Sequence, residues 1–162
     1  MLEVKVKGLV LDSQTNMPIV ILEEMNGKRA LPIWIGENEA NAIAMEMQQV
    51  RTPRPLTHDL IKNILQGTKA KVNRVIVSDL KDNTYYATIS LSLNNDEVVI
   101  DSRPSDAIAV ALKLNAPIFV AKKVMEMAAT VEMKTKEEDS DKWIDEMLDS
   151  IKRARPEEGH SD

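Results

Sequence analysis

Residues 100–114 read IDSRPSDAIAVALKL, and this stretch decides the fold. It begins as a strand and continues into a helix in which residues 107–112 include no polar side chain. A helix without a solvent face must be surrounded by other elements, so we expect it at the centre of the core. Its first turn is polar around Pro104, and proline suits this turn because it has no N–H to leave unbonded.

The chain of 162 residues has the length of one ordinary domain with a hydrophobic core. Residues 1–130 carry 15 basic and 15 acidic side chains, whereas residues 131–162 carry 6 and 11, so the net charge of −5 lies in the last segment. We therefore expect a domain over residues 1–130, followed over residues 131–162 by an acidic linker, a short amphipathic helix and a disordered end.

Composition narrows the class of protein. A neutral body argues against a broad basic field for nucleic acid, and 3% aromatic residues supply few platforms for base stacking. The absence of cysteine excludes disulfides and thiolate sites, and favours a reducing compartment. The sequence shows neither a signal peptide nor an apolar run long enough to span a bilayer. We expect a cytoplasmic protein that has no contact with membranes.

Hydrophobic periodicity predicts an α+β fold, with a mixed, mainly antiparallel sheet and three helices around it, one of them buried, plus a C-terminal helical tail. A short strand after the buried helix indicates a β-α-β crossover and one parallel strand pair. The predicted strands cover residues 2–11, 17–25, 30–35, 69–80, 84–93, 97–101 and 117–120. The helices before the buried one cover residues 37–50 and 57–67, and residues 123–133 form a helix or an interface segment.

Several details of these elements are testable. The first strand places Leu2, Val4, Val6, Gly8 and Val10 on one face. In the second helix, Thr57 is the predicted N-cap and Gly67 is predicted to end the helix. Its predicted buried stripe consists of Leu60, Ile61, Ile64 and Leu65. The apolar face of the tail helix comprises Trp143, Ile144, Met147, Leu148 and Ile151.

Candidate chemistry lies at three helix entrances, residues 36–39, 54–59 and 101–106. If they converge, they gather carboxylates, one imidazole and two guanidinium groups around one cleft. This set suits phosphodiester chemistry with a divalent metal, in which acids hold Mg²⁺ or Mn²⁺, arginine binds phosphate and histidine moves a proton. The chain shows no serine nucleophile elbow, phosphate loop or dinucleotide fingerprint, and we expect no organic cofactor.

A purely structural interpretation stays open for each of these residues. Acids in a first helical turn are expected for capping and for the helix dipole alone. His58 has no second histidine at metal-ligand spacing, and a lone histidine is usually structural. Arg54 and Arg103 would then pair with nearby aspartates.

The motifs LPIWIGENEANAI (residues 31–43), PRPLTHDLI (53–61), TYYATISL (84–91), IDSRPSDAIAVAL (100–112) and APIFV (116–120) occur in this order. In these motifs and in their order, the sequence resembles the bifunctional nuclease domain family. Some plant members of that family are described as degrading both RNA and DNA, so the resemblance implies a nuclease. The family motifs fall on Glu39, Arg54, His58, Asp59, Asp101, Arg103, Ser105 and Asp106.

Two hypotheses follow. The first is a metal-assisted nuclease with RNA or DNA as substrate, in which His58, Asp59, Asp106 and Glu39 are catalytic. In it, Arg54, Arg103 and Ser105 bind phosphate, and Asp59, Asp101 and Asp106 hold Mg²⁺ or Mn²⁺. The second is a non-catalytic homodimeric module that recognises a small anion or a protein partner. In both, we expect a homodimer.

Overall fold

The computed structural model describes residues 1–27, 29–128 and 131–132. The predicted α+β class is confirmed, because these residues form one mixed sheet with helices packed on it. The predicted tail helix and acidic linker lie outside the described residues. The strands are β1 (Leu2–Leu11), β2 (Pro18–Glu24), β3 (Arg29–Trp34), β4 (Lys71–Lys81), β5 (Thr84–Leu93), β6 (Asp96–Ser102), β7 (Ile118–Val120) and β8 (Val131–Glu132). The helices are α1 (Glu37–Met47), α2 (Thr57–Gly67), α3 (Pro104–Leu114) and α4 (Lys122–Met127).

The strand order is β6-β5-β4-β7-β1-β2-β3-β8. Two antiparallel meanders, β1 to β3 and β4 to β6, are joined by the short strand β7 between them. β7 pairs antiparallel with β1 and parallel with β4, which gives the one parallel pair that the crossover predicted. The connection through α3 passes over β5 and β4 before β7 enters the sheet, so the hydrophobic helix lies on these two strands.

The helix α3 has the central position that its sequence predicts. Residues 107–111 are at most 1% exposed, and α3 packs against α1, α2, β4 and β5. Pro104 is the first helical residue after the N-cap Arg103, and Asn115 ends the helix in the left-handed conformation with φ 52°. The polar entrance of this helix is therefore held in place by a fully packed core element.

The first strand departs from strict alternation. Its register against β2 shifts between Val6 and Gly8. Beyond this bulge Leu9 is buried in the main core, whereas Val10 packs against a small separate cluster on the other face. A bulge adds one residue to a strand and so exchanges the faces of all residues that follow. The predicted single face is wrong beyond Val6.

Helix α2 is less buried than predicted. Ile61 and Leu65 pack against the core, but Leu60 and Ile64 are 53% and 55% exposed. The predicted four-residue stripe is wrong for these two, because α2 lies outside α3 and contacts it along one narrow side. None of the described helices is long and apolar enough to cross a membrane.

Both ends of α2 differ from the predicted capping. Leu56 is the N-cap and Thr57 is already helical, so the predicted Thr57 cap is wrong. The helix ends at Gly67 as predicted, yet the left-handed residue that closes it is Lys69 with φ 61°. Lys69 N–H donates to Gln66 O, and Ala70 N–H donates to Leu65 O, which is a Schellman motif with lysine in the usual glycine position.

Candidate active site

The first turns of α1, α2 and α3 meet at one place on the protein. Four side chains form a continuous hydrogen-bonded chain there, which we call the polar cluster: Glu39, Arg103, Asp106 and His58. Arg103 Nη1 donates to Glu39 Oε1 at 2.9 Å, and Arg103 Nε donates to Asp106 Oδ2 at 2.8 Å. The other oxygen of Asp106, Oδ1, lies 2.9 Å from His58 Nε2. Three helix entrances that are far apart in sequence are thus joined side chain to side chain.

The members of the polar cluster differ in exposure. The side chains of His58 and Asp106 are 14% and 29% exposed, whereas that of Arg103 is 63% exposed. Because a carboxylate only accepts hydrogen bonds, neutral His58 carries its proton on Nε2 and keeps an acceptor lone pair on Nδ1. The cluster therefore combines a held imidazole with an arginine that a ligand in solution is able to reach.

The charges in the polar cluster stabilise one another. Burial raises the pKa of Asp106, but hydrogen bonds from Arg103 and His58 more than offset this and hold it below the usual value of 3.8. The hydrogen bonds to Asp106 and Glu39 in turn raise the pKa of Arg103. At neutral pH, Asp106 is therefore a carboxylate and Arg103 a cation.

Gly36 makes room for Glu39. It is the N-cap of α1, with φ −74° and ψ 165°, an extended conformation open to any residue. A Cβ atom at this position would collide with the Glu39 carboxylate, which folds back over the start of the helix. The constraint at this position is therefore one of space and not of backbone freedom, since a larger residue would make the Glu39 carboxylate move.

Asp59 lies beside His58 in sequence but belongs to a different set of contacts. Its carboxylate accepts hydrogen bonds from Lys113 Nζ and from the Leu56 N–H, the latter at 2.9 Å. Lys113 also donates to Glu46 at 2.8 Å, and we call these three side chains the lysine network. The hydrogen bond from Lys113 is the main cause that lowers the pKa of Asp59. Burial lowers the pKa of Lys113, but Asp59 and Glu46 raise it overall.

The remaining predicted site residues lie around the polar cluster or away from it. Ser105 is buried in the first turn of α3, and the exposed Arg54 precedes α2. The Arg54 guanidinium makes no ion pair or hydrogen bond within the described residues. Asp101 pairs with Thr88, which alternates with the buried Ala87 and Ile89 under α3. Strand alternation therefore places Asp101 on the other face of the sheet.

The predicted metal ligands do not gather around one point. Asp59 turns to Lys113, Asp101 lies across the sheet, and both oxygens of Asp106 are bonded to His58 and Arg103. Across the part of the chain that the structure describes, no three His, Asp or Glu side chains form a group able to hold a metal ion. The residues, arranged in this way, do not fit a Mg²⁺ or Mn²⁺ site of the predicted composition.

The lysine network was missed from the sequence. Its signal was nevertheless present, because Lys113 follows six consecutive apolar residues in a helix that had to be buried. A charge on such a helix requires a partner to offset its desolvation. The choice of Asp59 and Glu46 as those partners depends on how α1 and α2 cross α3.

Comparisons with known proteins identify the family of this chain. A family model described as "Bifunctional nuclease domain" matches residues 20–133. An uncharacterized protein of Mycobacterium tuberculosis is 42% identical over 126 residues, which cover 78% of this chain and 75% of that protein. Bifunctional nuclease 2 of Arabidopsis thaliana is 31% identical over 107 residues, covering 64% of this chain and 32% of that protein. Bifunctional nuclease 1 of Oryza sativa subsp. japonica is 27% identical over 116 residues, covering 70% and 35%. The chain therefore belongs to the bifunctional nuclease domain family.

Proposed function

We propose that the chain is a nuclease that hydrolyses phosphodiester bonds of RNA, DNA or both, with the polar cluster as its active site. The observation that carries the proposal is the hydrogen bond between His58 Nε2 and Asp106 Oδ1 at 2.9 Å. It joins an imidazole to an ionised carboxylate at a meeting point of three helix N-termini, which favour anions. Membership of the family, with plant relatives named as bifunctional nucleases, supports the reaction class.

His58 is the proton carrier in this proposal. Asp106 holds the imidazole by Nε2 and stabilises the imidazolium that forms when Nδ1 accepts a proton from the attacking water. The water oxygen then bonds to phosphorus, the phosphorus–oxygen ester bond breaks, and His58 returns the proton to the leaving oxygen. Glu39 acts through Arg103, since its carboxylate contacts the guanidinium and not the imidazole.

In this proposal, the substrate phosphate is bound by Arg54, Arg103 and Ser105. Arg54 is exposed and makes no ion pair within the described residues, so its whole charge is available to a substrate phosphate. The charge of Arg103 is shared with two carboxylates, so we expect it to orient phosphate more than to attract it. Ser105 offers a hydroxyl and a backbone N–H in the first turn of α3.

Dependence on Mg²⁺ or Mn²⁺ stays a prediction. Because the described carboxylates do not gather three ligands, no step above is assigned to a metal ion. Magnesium is often held by only one or two carboxylates together with substrate phosphates and water, so a metal ion that arrives with the substrate would need only one or two of these carboxylates to leave their present partners.

One observation favours the non-catalytic alternative, a homodimeric module that recognises a small anion or a protein partner. Every carboxylate of the polar cluster is already paired, Asp106 with His58 and Arg103, and Glu39 with Arg103. A saturated cluster of this kind also stabilises three helix ends without any chemistry. The homodimer and the cytoplasmic location remain predictions, and light scattering after size exclusion tests the first.

A cleavage assay decides between the two functions. Purified protein is incubated with single-stranded RNA and with single-stranded DNA, in the presence of Mg²⁺, of Mn²⁺ and of EDTA. We expect cleavage by the wild type, and a rate at least about 100-fold lower for His58→Ala, which removes general acid–base catalysis.

Two results would go against the nuclease proposal. No cleavage of either substrate under any condition would favour the binding module. Equal rates for the wild type and for His58→Ala would move the active site elsewhere, and a contaminating nuclease would give the same equality. Loss of activity in EDTA would support the metal prediction, and unchanged activity would refute it.

A further inference from the structure

A second polar cleft of about 550 Å³ lies beyond the C-terminal end of α2. It is formed by the residues after α2, the start of β4 and the turn between β5 and β6, and every residue that lines it is polar. Its size is that of a small-molecule site, but the apolar walls typical of such sites are missing. A cleft of this kind therefore favours the binding of a very polar ligand.

The charge of the cleft is positive once its internal pairs are taken into account. Glu97 Oε1 accepts hydrogen bonds from Ser90 at 2.8 Å and from Arg74 Nη2 at 3.3 Å, so the charge of this carboxylate is paired with that of Arg74. Lys69 and Lys71 are exposed, and neither makes an ion pair or a side-chain hydrogen bond with the described residues. Asp96 at the start of β6 is the one other acid that lines the cleft. Two unpaired lysines thus face a single carboxylate.

Arg74 adds an unsatisfied donor. Its Nε is buried and has no hydrogen-bond partner among the described residues, although Nη2 is bonded to Glu97. A buried N–H without a partner is costly, and in native proteins such a group usually receives an acceptor from water or from a ligand. The described residues therefore leave one donor of Arg74 without an acceptor, beside a cleft that the same residue lines.

We propose that this cleft binds a diphosphate group, with Lys69 and Lys71 as its cationic contacts and Arg74 as a hydrogen-bond donor. A diphosphate supplies several negative charges and many acceptor oxygens, which match two unpaired ammonium groups and the guanidinium of Arg74. The lining includes no apolar or aromatic residue on which a base would stack, so recognition is centred on the phosphates. The site lies about 16 Å from the polar cluster, the length of α2, and does not depend on the proposed nuclease reaction.

The backbone conformation of Lys69 allows its role in binding to be tested separately from its effect on stability. Lys69 occupies the left-handed C′ position of α2 with φ 61°, and Gln49 occupies the equivalent position of α1 with φ 53°. Glycine is favoured at both, so Lys69→Gly and Gln49→Gly should each raise the melting temperature by about 3 °C. Only Lys69→Gly removes a cation from the cleft. A purely structural role of Lys69 would show the gain in stability without a loss of binding.

Calorimetric titration of the full chain with inorganic pyrophosphate measures the binding. We expect saturable binding by the wild type, about tenfold weaker binding by Lys69→Gly and by Lys71→Gln, and unchanged binding by Gln49→Gly and His58→Ala. Lys122→Gln on α4 removes an exposed lysine outside the cleft and should bind as the wild type does.

Further titrations identify the source of the phosphate. A nucleoside diphosphate should bind as tightly as pyrophosphate, because no lining residue contacts the base, and an oligonucleotide with isolated phosphodiesters should bind more weakly. Tighter binding of the oligonucleotide would overturn the diphosphate assignment. The proposal also fails if the wild type shows no saturable binding, or if Lys69→Gly loses no more affinity than Gln49→Gly, or if Lys122→Gln loses as much as Lys71→Gln.

Discussion

The buried helix α3 is tied to α1 and α2 twice, by the polar cluster at its first turn and by the lysine network at its last. Both networks join the same three helices, and His58 and Asp59, neighbours in sequence, point into different ones. The central cation differs: Lys113 is 15% exposed between two carboxylates, while Arg103 is 63% exposed. A closed network, whose cation is shielded from solvent, stabilises helix packing. An open network, whose cation is exposed and which includes an imidazole, is also able to bind a ligand and transfer a proton.

The contrast teaches that acids at helix starts are not equivalent. Asp59 and Asp106 both lie in a first turn, and both have a lowered pKa. Only Asp106 contacts an imidazole. Function is therefore assigned by the partner of a carboxylate and not by its position on the helix.

The largest expected effect separates the two aspartates by activity. Asp106→Asn should lower the cleavage rate about 100-fold, because an amide no longer stabilises the imidazolium of His58. Asp59→Asn should change the rate less than about threefold once the lower fraction of folded protein is corrected for. Cleavage rates on single-stranded RNA measure both. If Asp59→Asn is as inactive as Asp106→Asn, the lysine network belongs to the active site. That result would agree with the sequence-based prediction that Asp59 is catalytic.

A smaller effect separates the two cations by stability. Lys113→Met should lower the free energy of unfolding by about 2 kcal/mol, because it leaves the partly buried Asp59 and Glu46 without a counter-charge. Arg103→Gln should cost less than about 1 kcal/mol, since the Arg103 side chain is 63% exposed and its ion pairs are screened by water. Urea unfolding followed by circular dichroism gives both values. An equal loss for the two variants would remove the distinction between a closed and an open network.

The smallest effect concerns acid pH. The pKa of Asp59 is below 3.8 in the folded chain, so its contribution to stability is fully present above that pH and is lost as the pH falls through the folded value. Asp59→Asn removes this dependence. The fall in unfolding free energy between about pH 6 and about pH 3 should therefore be less steep in the variant, by at most about 1 kcal/mol. An unchanged slope would show that Lys113 does not hold Asp59 in solution.

Much of the fold was predictable because its signals are local. The apolar run of residues 107–112 required a buried helix, and alternation along the chain marked the two meanders. The errors have one source, which is that a neighbouring element altered the local pattern. The bulge after Val6 exchanged the faces of β1, and the narrow contact of α2 with α3 left Leu60 and Ile64 exposed. The hydrophobic periodicity of the sequence contains no signal for the bulge or for the width of that contact.

The order of residues along the chain was enough to show that three helices begin with polar residues, that one of these helices is buried, and that the motifs resemble one family. The three-dimensional packing was needed to show that Asp106 faces His58, that Asp59 turns to Lys113, and that Asp101 lies across the sheet. The physical reason is that a residue's place in a helix fixes its direction relative to that helix alone. Its partner is set by the angle and the height at which a second helix crosses, and these depend on the packing of the whole core.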